Sequence, residues 1–285
     1  MKFLIIASYP ASILKFRGAL IEALQYAGFE IHIAAPEFQN FPEELNALKA
    51  LGYCVHHIPM QRTGTNPIAD AKTLFALYRL IKNIKPNYVM GYTIKPVIYG
   101  SLAAALARVP HRFALVTGLG YAFQGAEEKT YKKSNLQKLV HQLYALALAS
   151  TQKVFFQNPD DEALFRKMGI LKSATPSKVV NGSGVNVSEY AVAPFPLVDL
   201  APCPRFLLIA RLLVDKGIQE YAQAAAIIKA KYPQAQFDLV GWIDDNPNAI
   251  QQHELDDWIK SGLFNFWGKL ADVKPAIAAC AIYVL

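Results

Sequence analysis

With 285 residues, 53% of them hydrophobic, the chain has material for two cores of ordinary domain size. Its net charge of +7 points to acidic partners, whether phosphorylated substrates, anionic lipid or nucleic acid. The apolar run behind Met1 is too short for a secretory leader or for a bilayer span of roughly 20 residues, so a cytoplasmic setting is expected; Cys54, Cys203 and Cys280 show no metal-ligand spacing and read as reduced, buried thiols.

Short apolar runs alternate with amphipathic stretches, the pattern of parallel sheets wrapped by helices. The first part predicts strands at 3–8, 30–36, 54–59, 88–93, 112–117, 153–158 and 178–180. Between them the spacing predicts helices at 17–27, 42–51, 67–84, 95–107, 131–150 and 160–168. That period fits one doubly wound domain over residues 1–193. Residues 194–204, PFPLVDLAPCP, sustain neither a helix nor a central strand and read as a linker. A second domain starts at 205, with strands at 205–210, 236–241, 264–268 and 281–285 and helices at 218–230, 251–260 and 273–279. The chain stops on an apolar strand, so the natural protein is expected to continue beyond it, and this second domain to be incomplete.

Two such units direct attention to the C-terminal ends of their strands, where open α/β sheets bind ligands, and to a cleft between the domains. In ARLLVDKGIQEY (210–221), Arg211 follows a strand and Lys216 with Gly217 opens a helix, an arrangement suited to a diphosphate. A surface ion pair with Asp215 or Glu220 is the alternative. The segment SYPASILKFRGAL (8–20) is longer than most strand-to-helix loops and carries Lys15, Arg17 and Gly18; it either cradles a phosphate or leaves its cations solvated. Thr117, Gly118 and Gly120 end a strand where a sugar could approach, and Asn181–Asn186, NGSGVN, could shape a site floor; an ordinary turn explains each as well. His56, His57, His111 and His141 form no ligand set by spacing. No DxD-like metal motif sits at a strand end, so no obligatory metal is expected.

FRGALIEAL (16–24), GYTIKPVIYGSLAA (91–104), VTGLGYAF (116–123), FFQNPDD (155–161), NGSGVNVSEY (181–190) and ARLLVDKGIQEY together resemble retaining glycosyltransferases of family 4. The likeness runs through the whole chain in order. It is greatest to the bacterial branch that moves an N-acetylhexosamine from a UDP-sugar to a polyprenyl-diphosphate-linked saccharide during capsule, O-antigen or glycan precursor assembly. The resemblance implies the GT-B fold: an N-terminal Rossmann-like acceptor domain (1–193) and a C-terminal Rossmann-like nucleotide-sugar domain (205–285). It implies that Arg211 and Lys216 hold the donor diphosphate, with Arg17 and Gly18 facing it. Gly241, Trp242, Phe266, Trp267 and Leu270 would lie at the nucleotide, and Thr117, Gly118, Gly120 and Lys95 at the acceptor. The family's glutamates, spaced E-x7-E, are expected beyond Leu285, leaving the catalytic residues unassigned and these 285 residues catalytically crippled.

The stretch 127–150 places Lys129, Lys132, Lys133 and Lys138 ahead of an apolar stripe of Leu136, Leu139, Val140, Leu143 and Tyr144. An ordinary sheet-covering helix fits this pattern, and so does an amphipathic helix lying on anionic lipid. A polyprenyl acceptor, as the resemblance implies, favours peripheral attachment to the inner face of the cell membrane. Scattered positive charge with no aromatic-basic platform argues against nucleic acid. The competing enzyme is a UDP-N-acetylglucosamine 2-epimerase, and the non-enzymatic alternative is a nucleotide-sugar-binding module.

Overall fold

The computed structural model describes residues 1–61, 66–119, 123, 135–192, 194, 204–243 and 248–285. These divide into two compact units, Met1–Gly184 and Val185–Leu285. Most of the Pro-rich 194–204 segment, Cys203 included, lies outside the described residues.

The first unit is a seven-stranded sheet, built from β1 (Lys2–Ile6), β2 (Glu30–Ala35), β3 (Cys54–His57), β4 (Tyr88–Tyr92), β5 (His111–Val116), β6 (Lys153–Phe156) and β7 (Ser177–Val179). All neighbours run parallel, in the order β3-β2-β1-β4-β5-β6-β7. Side chains alternate between the faces, and both faces are buried, which is why the strands read as continuous apolar runs. Leu4, Ile6, Val89 and Val154 face helices α3 (Pro67–Ile84), α4 (Ser101–Leu106), α5 (Asn135–Ala149) and α6 (Pro159–Lys167) through Leu77, Ala103, Leu148 and Phe165. Phe3, Ile5, Ile33 and Met90 face α1 (Ser12–Tyr26) and α2 (Pro42–Ala50) through Ile13, Ile21 and Leu48.

Three sequence expectations change here. Helix α1 begins at Ser12 rather than Arg17: Pro10 closes a short turn, and the Ser12 hydroxyl donates to the Tyr9 carbonyl at 2.6 Å. Gly18 therefore sits inside the helix and not at its N-terminus. Cys54 is exposed, because it opens the edge strand β3. The predicted helix at 95–107 forms as a π turn, Pro96–Gly100, running into α4.

The second unit is a four-stranded parallel sheet of β8 (Arg205–Ile209), β9 (Gln236–Val240), β10 (Asn265–Gly268) and β11 (Ile282–Val284), in the order β10-β9-β8-β11. Helices α7 (Ile218–Lys231) and α8 (Gln252–Lys260) cover one face through Ile218, Tyr221, Ala225 and Leu255 on Leu208, Phe237 and Leu239. The other face is thinner, with Ala276 of α9 (Lys274–Ala279) on Leu207 and Val240. It also carries Asp238, only 1% exposed. A carboxylate so placed needs partners. Arg205 forks onto it, its Nη2 donating at 3.1 Å, and Trp267 donates its indole N–H to it at 3.0 Å.

Candidate active site

Both sheets change strand order beside their first strand, β1 against β4 in one and β8 against β11 in the other. At such a point the connections leave in opposite directions and the strand ends stand open to a ligand.

In the second unit the segment after β8 is a shelf tied down by backbone hydrogen bonds. Leu212 donates to the Trp242 carbonyl at 3.0 Å and accepts from Ile250 at 2.9 Å, and Val214 donates to the Asn248 carbonyl at 3.0 Å. A 3₁₀ turn, Val214–Lys216, ends on Gly217 at φ +68°, which caps α7 in a conformation that disfavours any side chain. The first N–H groups of this 14-residue helix thus stand beside Lys216, which is exposed and makes no ion pair among the described residues. Arg211 lies half-buried on the same loop. After β9, Gly241 runs so close to the shelf that a Cβ there would stand 2.0 Å from the Ala210 carbonyl oxygen. Trp242 follows, 41% exposed, with Lys269 Nζ 4.9 Å above its ring. Sequence reasoning misses Lys269; the signal for it is its place after Gly268, whose carbonyl accepts from Gly241. Phe266 and Leu270 pack into the cores of this unit, and Trp267 is tied to Asp238, leaving backbone as what these three residues offer a base.

In the first unit the switch point is polar. The hydroxyls of Ser8, after β1, and Thr93, after β4, are 2.8 Å apart, and Thr93 has a φ of 67°, an uncommon conformation for a β-branched residue. Ser12 meets the Tyr92 hydroxyl at 2.9 Å. Burial pushes the Tyr92 phenol up to about 12, against smaller opposing effects from Ser12 and Arg17. Arg17, only 5% exposed, lays its guanidinium 5.0 Å from the Tyr92 ring centre and donates to Ser183 Oγ at 3.0 Å and the Phe16 carbonyl at 2.8 Å. Gln157 also donates to Ser183, at 3.1 Å, so the NGSG turn, FFQN and FRGAL meet here. No carboxylate pairs with Arg17 among the described residues, and its Nε is buried without a hydrogen-bond partner. Burial lowers its affinity for the proton, yet a guanidinium stays charged at neutral pH. Among the described residues this is an uncompensated buried cation, and an anion would stabilise it.

The other expected residues are placed unevenly. Gly18 has no atom within 4 Å of where a Cβ would be, so no close approach demands a glycine there. Lys95 is neutralised by Asp70 at 2.7 Å, and Asp70 also bonds Tyr99, which ties that lysine to α3. Thr117 and Gly118 follow β5 half-buried, whereas Gly120, Lys129, Lys132 and Lys133 lie outside the described residues. Lys138 is on the exposed side of α5.

Comparison with known proteins decides the family. The family described as "Glycosyl transferase 4-like" matches residues 10–158, more than half of the 285. The chain belongs to the glycosyl transferase 4-like family. This glycosyltransferase is 28% identical over 290 residues to the N,N'-diacetylbacillosaminyl-diphospho-undecaprenol alpha-1,3-N-acetylgalactosaminyltransferase of Campylobacter jejuni, covering 96% of the chain and 71% of that protein. It is 27% identical over 234 residues to the UDP-Gal:alpha-D-GlcNAc-diphosphoundecaprenol alpha-1,3-galactosyltransferase of Escherichia coli, covering 76% of the chain and 56% of the relative. Among solved structures, a glycosyltransferase from Rickettsia africae superposes with a TM-score of 0.67 at 15% identity, over 99% of the chain and 72% of that structure. That likeness speaks for the fold, the two Rossmann-like units of the GT-B type.

Proposed function

We propose that this glycosyltransferase moves an N-acetylhexosamine from a UDP-sugar to a saccharide carried on polyprenyl diphosphate, with retention of anomeric configuration and without an obligatory metal. The observation that carries the reading is the buried guanidinium of Arg17, which has only neutral partners among the described residues and therefore suits a phosphate. The two relatives support the rest, since both are named for sugar transfer to undecaprenyl-diphosphate-linked acceptors.

Breaking the bond between the anomeric carbon and a diphosphate places new negative charge on the leaving oxygen. Fixed cations and helix N-termini stabilise that charge without reorganising. Arg211, Lys216 and the N-terminus of α7 take this role in the proposal, and Lys269 with Trp242 offers a cation and a half-exposed ring for the nucleotide. Among the described residues no helix is long and apolar enough to cross a membrane, so access to a lipid-linked acceptor is proposed through peripheral attachment to the cytoplasmic leaflet.

The test is a product assay with UDP-N-acetylhexosamines and an undecaprenyl-diphosphate-linked saccharide, read by mass. Release of UDP with a lipid-linked product one sugar longer supports transfer. An isomerised free nucleotide sugar with no extended lipid supports the epimerase reading instead.

A further inference from the structure

At the opposite edge of the first sheet, where the strands begin, β2 and β3 bring together a group of side chains that the proposed transfer does not use. Parallel pairing sets His32 directly beside Cys54. One ring nitrogen of His32, the Cys54 sulfur and a Glu30 carboxylate oxygen all lie within 4.8 Å of one another. His32 is buried, while Glu30 and Cys54 are exposed, so the group is fixed at its base and open to solvent. The two ring nitrogens of His32 are both engaged: Nε2 stands 2.9 Å from Glu30 Oε1, and Nδ1 stands 2.9 Å from His56 Nε2.

The geometry points to a divalent cation site of zinc type, with Glu30, His32 and Cys54 as protein ligands and His56 orienting His32. Imidazole, thiolate and carboxylate are the donors zinc takes, and a tetrahedral centre needs them roughly 3.5 Å apart. Only the two exposed side chains have to shift to reach that spacing. His32 then binds through Nε2 and donates Nδ1–H to His56 Nε2, the second contact that commonly holds a ligating histidine in one orientation. Cys54 binds as thiolate, its proton passing to solvent; a solvent molecule completes the fourth position. The rival is the contact set without metal, in which His32 donates to Glu30 and the Lys2 ammonium, 4.0 Å from Glu30, supplies the positive charge. Because the site is at the N-terminal edge of β2 and β3, it serves the architecture of the first unit and not sugar transfer.

Titration of the chain with cobalt(II), followed by zinc competition, tests it. The expected result is one equivalent bound with a thiolate-to-metal charge-transfer band, a band lost in Cys54→Ser. Zinc affinity should fall at least about tenfold in Cys54→Ser and in Glu30→Gln, and about 10- to 100-fold in His56→Ala. Zinc should raise the melting temperature of the wild type and not of Cys54→Ser, with UDP binding unchanged in both. A charge-transfer band that survives Cys54→Ser, or zinc affinity unmoved by Glu30→Gln and Cys54→Ser alike, overturns the site. Both substituted residues are exposed; should either variant fail to fold, the zinc affinity of the other still supports or overturns the same ligand set.

Discussion

Arg17 is visible in the sequence as a cation near the first strand-to-helix connection, but its burial is not. That depends on Tyr92 and Ser183, 75 and 166 positions away, which no local pattern connects to it. A buried cation without a carboxylate costs stability, and such sites persist where function requires them. Arg17→Met, which keeps the volume and removes the charge, should therefore melt at or above the wild-type temperature while UDP affinity falls by about tenfold or more. A variant that keeps wild-type UDP affinity would strip Arg17 of the phosphate role. Tyr92 gives a pH signature of the same pocket. Its folded-state pKa, about 12, lies above the ordinary tyrosine value of 10, so the neutral phenol's contribution to stability is complete below pH 10 and is lost as pH rises through 12. Burial also raises Tyr99, Tyr144 and Tyr221, so spectrophotometric titration should show a group of tyrosines ionising well after the exposed ones, and Tyr92→Phe should take one tyrosine's amplitude out of that late group and lessen the alkaline loss of stability. Cys54 and His32 show the same limit of local reading: each is a residue in a strand, and only the register of β2 on β3 makes them neighbours.

At the scale of elements the strands are legible because parallel strands buried on both faces read as unbroken apolar runs. Helix ends are less so. Pro10 and Ser12 start α1 five residues earlier than the apolar spacing suggests, which takes Gly18 away from the helix N-terminus where a phosphate could use it. In the sequence Asp238 is one residue of a strand, although a buried carboxylate in β9 calls for the Arg205 and Trp267 that meet it. Helix α5 keeps both of its sequence readings in view. Tyr144 is buried and Val140 and Leu143 pack on the core, as a sheet-covering helix requires, yet Leu136, Leu139 and Leu146 remain exposed along with Lys138. We propose that this outer side, with the lysines at 129, 132 and 133 before it, rests on anionic lipid. Each cation near such a surface contributes about 1 kcal/mol, and the attraction fades over a Debye length of about 8 Å at physiological salt. Co-sedimentation with phosphatidylserine vesicles should be strong at low salt, weaker at high salt, and largely abolished when the four lysines are changed to Gln. Binding that ignores both salt and the substitutions would leave α5 as a cover for the sheet.

For the whole molecule, the alternation of strands and helices, broken by a proline-rich stretch, is enough to read two doubly wound units, and the glycosyl transferase 4-like family confirms the class of chemistry. Sugar and acceptor identity are not legible, because hydroxyl recognition is set by a few side chains on connections that vary independently of the fold. A strand-end arginine followed by Lys-Gly at a helix start has a direct electrostatic reading as a diphosphate site, which is the proposal made for Arg211 and Lys216, with a surface ion pair as the rival reading of the same residues. The proposed hold of Arg211 and Lys216 on the donor diphosphate is measured by calorimetric titration of UDP into wild type, Arg211→Ala and Lys216→Ala. A charge-assisted contact contributes roughly 1.5 to 3 kcal/mol, so each substitution should weaken UDP binding by about 10- to 150-fold, with the fold kept. UDP affinity equal to wild type in both variants would place the donor diphosphate elsewhere.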